Sequence, residues 1–217
     1  MNKKIVIFDL DGTLLNTLDD LTYSTNFALE QFGYQAKSCD DVRNYVGNGV
    51  FKLIERAIPN GKDNPNFQTC LSLFKANYKQ NMYNKTAPYE GIIELLNYLK
   101  IKGIKIAVVS NKFDSAVKEL CQRYFSNLVD FVSGENEAEG IRKKPAPDSV
   151  FRVLEEFNLT SEDAIYVGDS EVDIQTALNS NLPCISVTWG YKDRDFLLNN
   201  GAEIIVDSPD EIVRYLN

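Results

Sequence analysis

The chain has 217 residues, of which 44% are hydrophobic and 25% are charged, a composition that is ordinary for a globular protein. Its formal net charge of −8 disfavours nucleic acid or an anionic membrane as the main partner. The sequence contains no histidine, which excludes a Ser-His-Asp triad, histidine acid/base catalysis and histidine-ligated metals. Any enzymatic chemistry therefore depends on carboxylates, lysines, hydroxyls or a metal ion that prefers oxygen ligands.

The N-terminal segment and the cysteines lead us to expect a cytoplasmic protein. No apolar run approaches the ~20 residues that span a bilayer. After Lys3 and Lys4, the apolar stretch before Asp9 is too short for a signal peptide. The four cysteines have no CxxC spacing and are predicted to be free thiols.

Nearly continuous apolar runs along the chain predict buried parallel strands. In chain order they cover residues 4–10, 105–110, 130–133, 164–169, 184–188 and 203–207. Helical apolar spacing separates most of them, at residues 91–100, 115–124, 148–157 and 172–179. This alternation predicts an α/β fold with a doubly wound parallel sheet and right-handed crossovers.

The stretch after the first strand interrupts this alternation. Its apolar residues have helical spacing, in segments 18–32, 41–57 and 66–83. The stretch is far longer than an ordinary βα connection. We predict a helical cap domain (residues 16–86) inserted into a core domain (residues 1–15 and 87–217). Because ligands of open α/β sheets bind at the carboxyl ends of strands, the position of the insert favours a lid. The alternative is a helical subdomain without a part in function.

Two aspartates, Asp9 and Asp11, end the first predicted strand and precede Gly12 and Thr13. Carboxylates this close together at the exit of an apolar strand are costly unless positive charge lies between them. A turn alone would need Asp11 and Gly12 but not Asp9, whereas Mg²⁺ prefers oxygen ligands and fits both carboxylates. The glycine allows a tight turn whose N–H groups can face a phosphate.

A second acidic pair, Asp169 and Asp173, follows the fourth predicted strand of the core. If the first and fourth strands are neighbours, these carboxylates face Asp9 and Asp11 across one crevice. Four carboxylates there would repel one another without a divalent cation. Capping of the following helix explains one of these acids but not the set.

Two further segments offer groups that can bind an anion. Ser110 and Asn111 end the second predicted strand before a helix, where a hydroxyl and free N–H groups can hold a phosphate. A plain helix N-cap is the alternative for these two residues. Lys143 and Lys144 precede a proline-fixed loop and a helix, and we expect only one of them to have a functional role.

These motifs, in this order, resemble those of the haloacid dehalogenase superfamily of phosphohydrolases. The resemblance covers the DxDGT loop at Asp9 to Thr13, the serine at Ser110, the lysine at Lys144 and the GDSxxD motif at Gly168 to Asp173. It implies a Rossmann-like core with strand order 3-2-1-4-5, a sixth strand and an inserted helical cap. It also implies Mg²⁺ as cofactor and a small phosphorylated metabolite as substrate, in a monomer or homodimer without nucleic acid or membrane partners.

The resemblance further implies a role for each acidic residue. Asp9 becomes the nucleophile that forms an aspartyl-phosphate, and Asp11 becomes the general acid and base. Asp9, the backbone carbonyl of Asp11, and Asp169 hold Mg²⁺, while Asp173 fixes the water shell of the metal.

Substrate binding is implied for residues of three motifs. Ser110 and Lys144 act in catalysis by binding the phosphoryl oxygens. Gly12, Thr13 and Asn111 contribute further contacts to the substrate.

The insert resembles that of the phosphoglycolate phosphatases, in residues 45–50 and 53–57, as do residues 88–91 and 187–191 of the core. A glycine-rich turn, Gly47-Asn48-Gly49, is able to reach the substrate tail with backbone amides, although a plain interhelical turn is the alternative. We expect 2-phosphoglycolate as the substrate. Pyrophosphate, a nucleoside monophosphate and a sugar phosphate stay open.

Other activities of the superfamily fit the residues less well. A dehalogenase does not need Asp11, a phosphonate hydrolase replaces it, and a β-phosphoglucomutase is expected to carry a cap histidine. Thr13 also favours hydrolysis, because mutase-like members often have valine there. A non-catalytic sensor of phosphorylated metabolites would lose at least one of Asp9, Asp11, Lys144 or Asp169, and all four are present.

Overall fold

The structure is a computed structural model that describes residues 2–216. The chain divides into two compact units. One is an α/β unit that contains the chain up to Leu15 and from Pro88 onward, and the other is a helical unit, Asn16–Ala87. No helix within residues 2–216 is both long and apolar enough to span a membrane.

The α/β unit contains a parallel sheet of six strands. In chain order they are β1 (Ile5–Phe8), β2 (Lys105–Phe113), β3 (Phe131–Glu135), β4 (Ala164–Gly168), β5 (Cys184–Val187) and β6 (Ile204–Val206). Their order across the sheet is β3-β2-β1-β4-β5-β6, and each neighbouring pair is parallel. The predicted strand order is confirmed, with the sixth strand at one edge.

The helical unit contains four α-helices: α1 (Leu18–Glu30), α2 (Cys39–Tyr45), α3 (Val50–Ala57) and α4 (Phe67–Asn81). The segment with helical spacing at residues 41–57 contains two helices, with the predicted interhelical turn at residues 47–49 between them. Gly47 and Gly49, with φ of 112° and 84°, stand between them in a backbone conformation that an α-helix does not allow. That the unit acts as a cap stays a prediction.

A buried carboxylate ties the two ends of the helical unit together. Asp20 of α1 accepts hydrogen bonds from the N–H of Lys85 and from the N–H and hydroxyl of Thr86, at 2.8–3.1 Å. Leu15–Asn16 and Ala87–Pro88, where the chain enters and leaves this unit, pair as two short strands. The entry and exit of the insert therefore lie side by side.

The described part of the α/β unit also contains five α-helices. They are α5 (Ile92–Ile101), α6 (Asp114–Phe125), α7 (Asp148–Glu156), α8 (Glu171–Asn179) and α9 (Arg194–Asn199). Ile5 and Ile7 of β1 belong to one hydrophobic core together with Val150 and Val153 of α7. The alternate residues of β1 point to the other face of the sheet and are also fully buried, so both faces are covered.

The central strands end at the same edge of the sheet. Phe8 of β1 pairs with Val108 of β2 on one side and with Val167 of β4 on the other. The chain segments that follow these three positions therefore emerge together. All of the acidic residues predicted for the site follow β1 or β4.

Strand β2 extends beyond its predicted end at Ser110 and continues to Phe113. Its pairing with β3 shifts in register between Val109 and Phe113. Gly134 of β3 makes the close approach possible, because a Cβ there would lie closer than 3.0 Å to backbone atoms of Lys112 and Asp114. The predicted boundary is wrong because this contact joins residues that are distant in sequence.

Candidate active site

Asp9 directly follows β1 and continues its pairing with β4. Its N–H donates to the carbonyl of Val167 at 2.9 Å, which fixes the backbone at the carboxyl edge of the sheet. The side chain is buried. Burial raises the pKa of Asp9 to about 7, against the opposing effect of the nearby Lys144 ammonium.

Lys144 lies between two aspartates. Its Nζ is 2.8 Å from Asp9 Oδ1 and 2.7 Å from Asp173 Oδ1, and it donates to the Tyr166 hydroxyl at 3.1 Å. Burial alone would lower the pKa of Lys144, but Asp173 and Asp9 hold it well above its ordinary value. Lys144 is therefore a buried cation. Lys143 is partly exposed and pairs loosely with a surface glutamate, so only Lys144 lies among the acidic residues.

Asp9, Asp169 and Asp173 form a buried cluster in which one oxygen of each carboxylate lies within 4.8 Å of the others. Asp173 also caps α8, accepting from the N–H and hydroxyl of Ser170 at 3.2 and 2.7 Å. Burial and the neighbouring carboxylates raise the pKa of Asp169 well above its ordinary value. Capping accounts for one of the three acids and leaves the other two without a structural reason.

Asp11 has a different partner. Its two carboxylate oxygens accept from Nζ of Lys112 at 2.9 and 3.1 Å. The side chain of Lys112 is only 4% exposed. Lys112 was not predicted as a site residue, because the predicted strand ends at Ser110 and a lysine beyond it is usually solvated.

Ser110 and Asn111 are buried in β2. The Ser110 hydroxyl accepts from the N–H of Lys112 at 3.3 Å, and the Asn111 amide donates to the carbonyl of Lys144 at 3.0 Å. The N-cap interpretation of Ser110 and Asn111 is wrong, because both residues lie within β2 and the N-cap of α6 is Phe113. That the two residues bind phosphate stays a prediction.

Residues of the loop after β1 and of the loop after β5 hold the Asp169 carboxylate in place. The Thr13 hydroxyl donates to Asp169 Oδ1 at 3.2 Å, and the N–H of Tyr191 donates to Oδ2 at 2.7 Å. The indole N–H of Trp189 donates to the carbonyl of Thr13 at 3.0 Å. Thr13 thus holds Asp169 in place, and its role in substrate binding stays a prediction.

Three glycines leave room for the acidic cluster. A Cβ added at Gly12 or Gly190 would lie closer than 3.0 Å to the Asp169 side chain, and one at Gly168 would do the same to Asp173. Gly12 also has a φ of 87°, which other residues adopt only with strain. Gly190 lies in the 187–191 segment that resembles the phosphoglycolate phosphatases, but its contact with Asp169 was not predicted, because it depends on the folded loop.

Residues 6–187 match the family model of the haloacid dehalogenase-like hydrolases. The chain belongs to this family. A phosphoglycolate phosphatase from Aquifex aeolicus is 30% identical over 222 residues, covering 98% of this chain and 100% of that protein. One from Pseudomonas putida is 29% identical over 216 residues, covering 97% of this chain and 76% of that protein.

The family likeness extends to solved structures. A crystal structure from Lactobacillus delbrueckii subsp. bulgaricus, provisionally assigned as a phosphoglycolate phosphatase, has a TM-score of 0.94 at 36% identity. The match covers 100% of this chain and 99% of that chain. The predicted superfamily is thereby confirmed, and the protein is a haloacid dehalogenase-like phosphatase similar to phosphoglycolate phosphatases.

The charged groups of this phosphatase fit a divalent metal ion. When ionised, the four aspartates carry four negative charges and the two buried lysines two positive ones, which leaves a net charge of −2. Among the described residues, no donor has good hydrogen-bond geometry to Asp9 Oδ1, although Lys144 is close. Oxygen donors with this surplus of negative charge suit a hard divalent cation.

The turn between α2 and α3 has a structural explanation of its own. The Asn48 side chain accepts from the Arg56 guanidinium at 2.8 Å, and the same guanidinium donates to the carbonyl of Tyr45 at 2.7 Å. Gly47, Asn48 and Gly49 lie in the helical unit, whereas the other predicted site residues lie in the α/β unit. Their role in substrate binding stays a prediction.

Proposed function

We propose that the protein is a Mg²⁺-dependent phosphatase that hydrolyses a small phosphomonoester, with 2-phosphoglycolate as its first-choice substrate, through an aspartyl-phosphate at Asp9. The observation that supports this is the buried cluster of Asp9, Asp169 and Asp173, in which the Lys144 ammonium contacts Asp9 and Asp173 and a surplus of negative charge is left. Asp11, held by a second buried lysine, is a separate carboxylate available for proton transfer.

In the first step, an oxygen of Asp9 attacks phosphorus and forms a bond to it, and the bond from phosphorus to the leaving oxygen breaks. Asp11 donates a proton to that oxygen, so that a neutral alcohol leaves. Lys144 and the Ser110 hydroxyl bind the phosphoryl oxygens and stabilise their negative charge. The product is phosphate bound covalently to Asp9.

In the second step, water attacks phosphorus and gives its proton to Asp11, and the bond between phosphorus and Asp9 breaks. Inorganic phosphate leaves, and both aspartates return to their starting states. Asp9, Asp169 and the carbonyl of Asp11 would hold Mg²⁺, and Asp173 would help to fix its water shell; the ion would supply charge neutralisation at the phosphoryl group. Two displacements replace one difficult hydrolysis.

The names of the relatives support 2-phosphoglycolate as the substrate. Pyrophosphate, nucleoside monophosphates and sugar phosphates belong in the same assay. On the resemblance alone, we also propose that Gly47, Asn48 and Gly49 bind the substrate, and that Gly12, Thr13 and Asn111 contribute to phosphate binding.

The test is a panel of phosphomonoesters with purified protein, in Mg²⁺, Ca²⁺ or EDTA. Mg²⁺ should support turnover and Ca²⁺ should inhibit, since its looser coordination lets Asp9 become bidentate and lose its line of attack. Asp9→Asn should abolish turnover, while Asp195→Asn, at an exposed position of the same unit, should not. Beryllium fluoride should form an acyl-phosphate mimic on Asp9. Turnover by folded Asp9→Asn, or equal rates in Mg²⁺ and EDTA, would contradict the mechanism.

A further inference from the structure

The buried lysine Lys112 has no role in the chemistry derived so far. Its side chain is 4% exposed, and its ammonium contacts both carboxylate oxygens of Asp11. Asp11 is itself only 12% exposed. Burying a lysine is costly unless its charge is matched, so this contact accounts for the presence of a lysine in the interior.

The backbone that carries Lys112 is held on two sides. Its N–H donates to the Ser110 hydroxyl at 3.3 Å. On the β3 side, Gly134 allows the backbone of Lys112 to approach more closely than any larger residue would. The ammonium is therefore presented to Asp11 from a fixed strand rather than from a mobile loop.

We propose that Lys112 is a positioning residue that fixes the orientation of the Asp11 carboxylate for proton transfer with the leaving oxygen and the attacking water. This inference rests on the proposed function, since it concerns the same site. Contacts to both oxygens restrict rotation of the carboxylate, which a single contact would not do.

The consequence for catalysis depends on the leaving group. A general acid must lie within hydrogen-bond reach of the atom that it protonates. A displacement of 1 Å can cost about 100-fold in rate. An alkyl phosphate needs this proton, whereas p-nitrophenyl phosphate has a leaving group that departs as an anion. Loss of Lys112 should therefore slow the first substrate far more than the second.

A double-mutant cycle tests whether Lys112 acts through Asp11. The four proteins are wild type, Lys112→Met, Asp11→Asn and the double variant, with Lys118→Met as control. Lys118 also pairs with an aspartate, Asp114, but its side chain is 61% exposed. The substrates are p-nitrophenyl phosphate and the alkyl phosphate that wild type hydrolyses fastest.

Lys112→Met should lower kcat/KM for the alkyl phosphate by about 10- to 100-fold. For p-nitrophenyl phosphate, kcat/KM, which reports only the steps up to departure of the leaving group, should stay within about threefold of wild type. In the Asp11→Asn background, the lysine substitution should change kcat/KM by no more than about twofold, since its partner is already altered. Lys118→Met should behave as wild type. Equal losses on both substrates, or the same loss in both backgrounds, would overturn the inference and indicate a structural or direct substrate contact.

A crystal structure of Lys112→Met with Mg²⁺ gives a readout that does not depend on turnover. Asp11 should rotate away from its wild-type position while Asp9 and Lys144 keep theirs, and an unmoved Asp11 would overturn the inference. If Lys112→Met does not fold, Lys112→Gln takes its place. The double variant leaves no buried charge unpaired, so it is expected to fold and to complete the cycle. Wild type that hydrolyses no phosphomonoester contradicts the proposed function, whereas active wild type with an unmoved Asp11 contradicts only this inference.

Discussion

Gly190 provides a sharp test of how closely the acidic cluster is packed. In Gly190→Ala the added Cβ would lie 2.6 Å from Asp169 Oδ2, and closer still to Asp169 Cβ and to the carbonyl oxygen of Gly12. Ordinary contact begins at 3.4 Å, so the carboxylate has to move by about 0.8 Å, close to the 1 Å that costs about 100-fold in rate. The backbone of Gly12 cannot yield as a flexible side-chain end would.

The expected result is a fall in kcat of about 100-fold, together with a loss of about 1–3 kcal/mol in the free energy of unfolding from overpacking. Steady-state kinetics and chemical denaturation measure the two quantities. Gly201→Ala is the control. Its added Cβ would meet open space, so it has the backbone strain of a residue with a φ of 89° but no contact with the acidic cluster. It should lose about 1 kcal/mol of stability and keep its rate. A Gly190→Ala protein with wild-type kcat would refute the packing argument.

Three further results are expected. The metal-free protein should lose stability as pH rises from 3.8 through about 7, because in the folded state burial raises the pKa of Asp9 to about 7 and that of Asp169 well above its ordinary value. Mg²⁺ should oppose this loss, so the increase in Tm on adding Mg²⁺ should be larger at high pH than at low pH. An increase that is no larger at high pH would contradict the site. Asp20→Ala should lower the free energy of unfolding, measured by chemical denaturation, by about 3 kcal/mol, because hydrogen bonds to a charged group are lost. Asp40→Ala, at an exposed position, is the control and should change it little. Replacing Asn48 with a bulkier residue should reorder substrates in kcat/KM and spare p-nitrophenyl phosphate; a uniform fall would show that the turn is structural.

The sheet was predictable because its strands are buried on both faces. Runs such as Ile5–Phe8 are apolar at every position, and this pattern is typical of a parallel strand that is covered on both faces. The end of β2 was not predictable, because its pairing past Ser110 depends on Gly134, which is distant in sequence. The split of the 41–57 segment had a visible cause in Gly47 and Gly49.

The residues of the candidate site that could be predicted are the charged residues that directly follow an apolar strand. Asp9 and Asp169 directly follow the apolar runs of β1 and β4, and the structure brings them together. Lys112 and Gly190 were missed for different reasons. Lysines are usually solvated, so burial of Lys112 is visible only in the folded strand, and Gly190 matters only through a loop contact.

The bond network of Asp20 has a consequence for how the polypeptide assembles. Joining β1 to β2 means closing a connection of about 96 residues, from residue 9 to residue 104, whose loop-closure entropy grows with the logarithm of its length. Asp20 binds Thr86, and this contact brings the two ends of the helical unit together using only residues of that unit. Once the unit has folded, the remaining flexible connection is residues 9–15 and 88–104, about 24 residues, which lowers the entropic cost of closure by about 1 kcal/mol. An insert that folds first therefore reduces the entropic cost of pairing the strands that it separates in sequence.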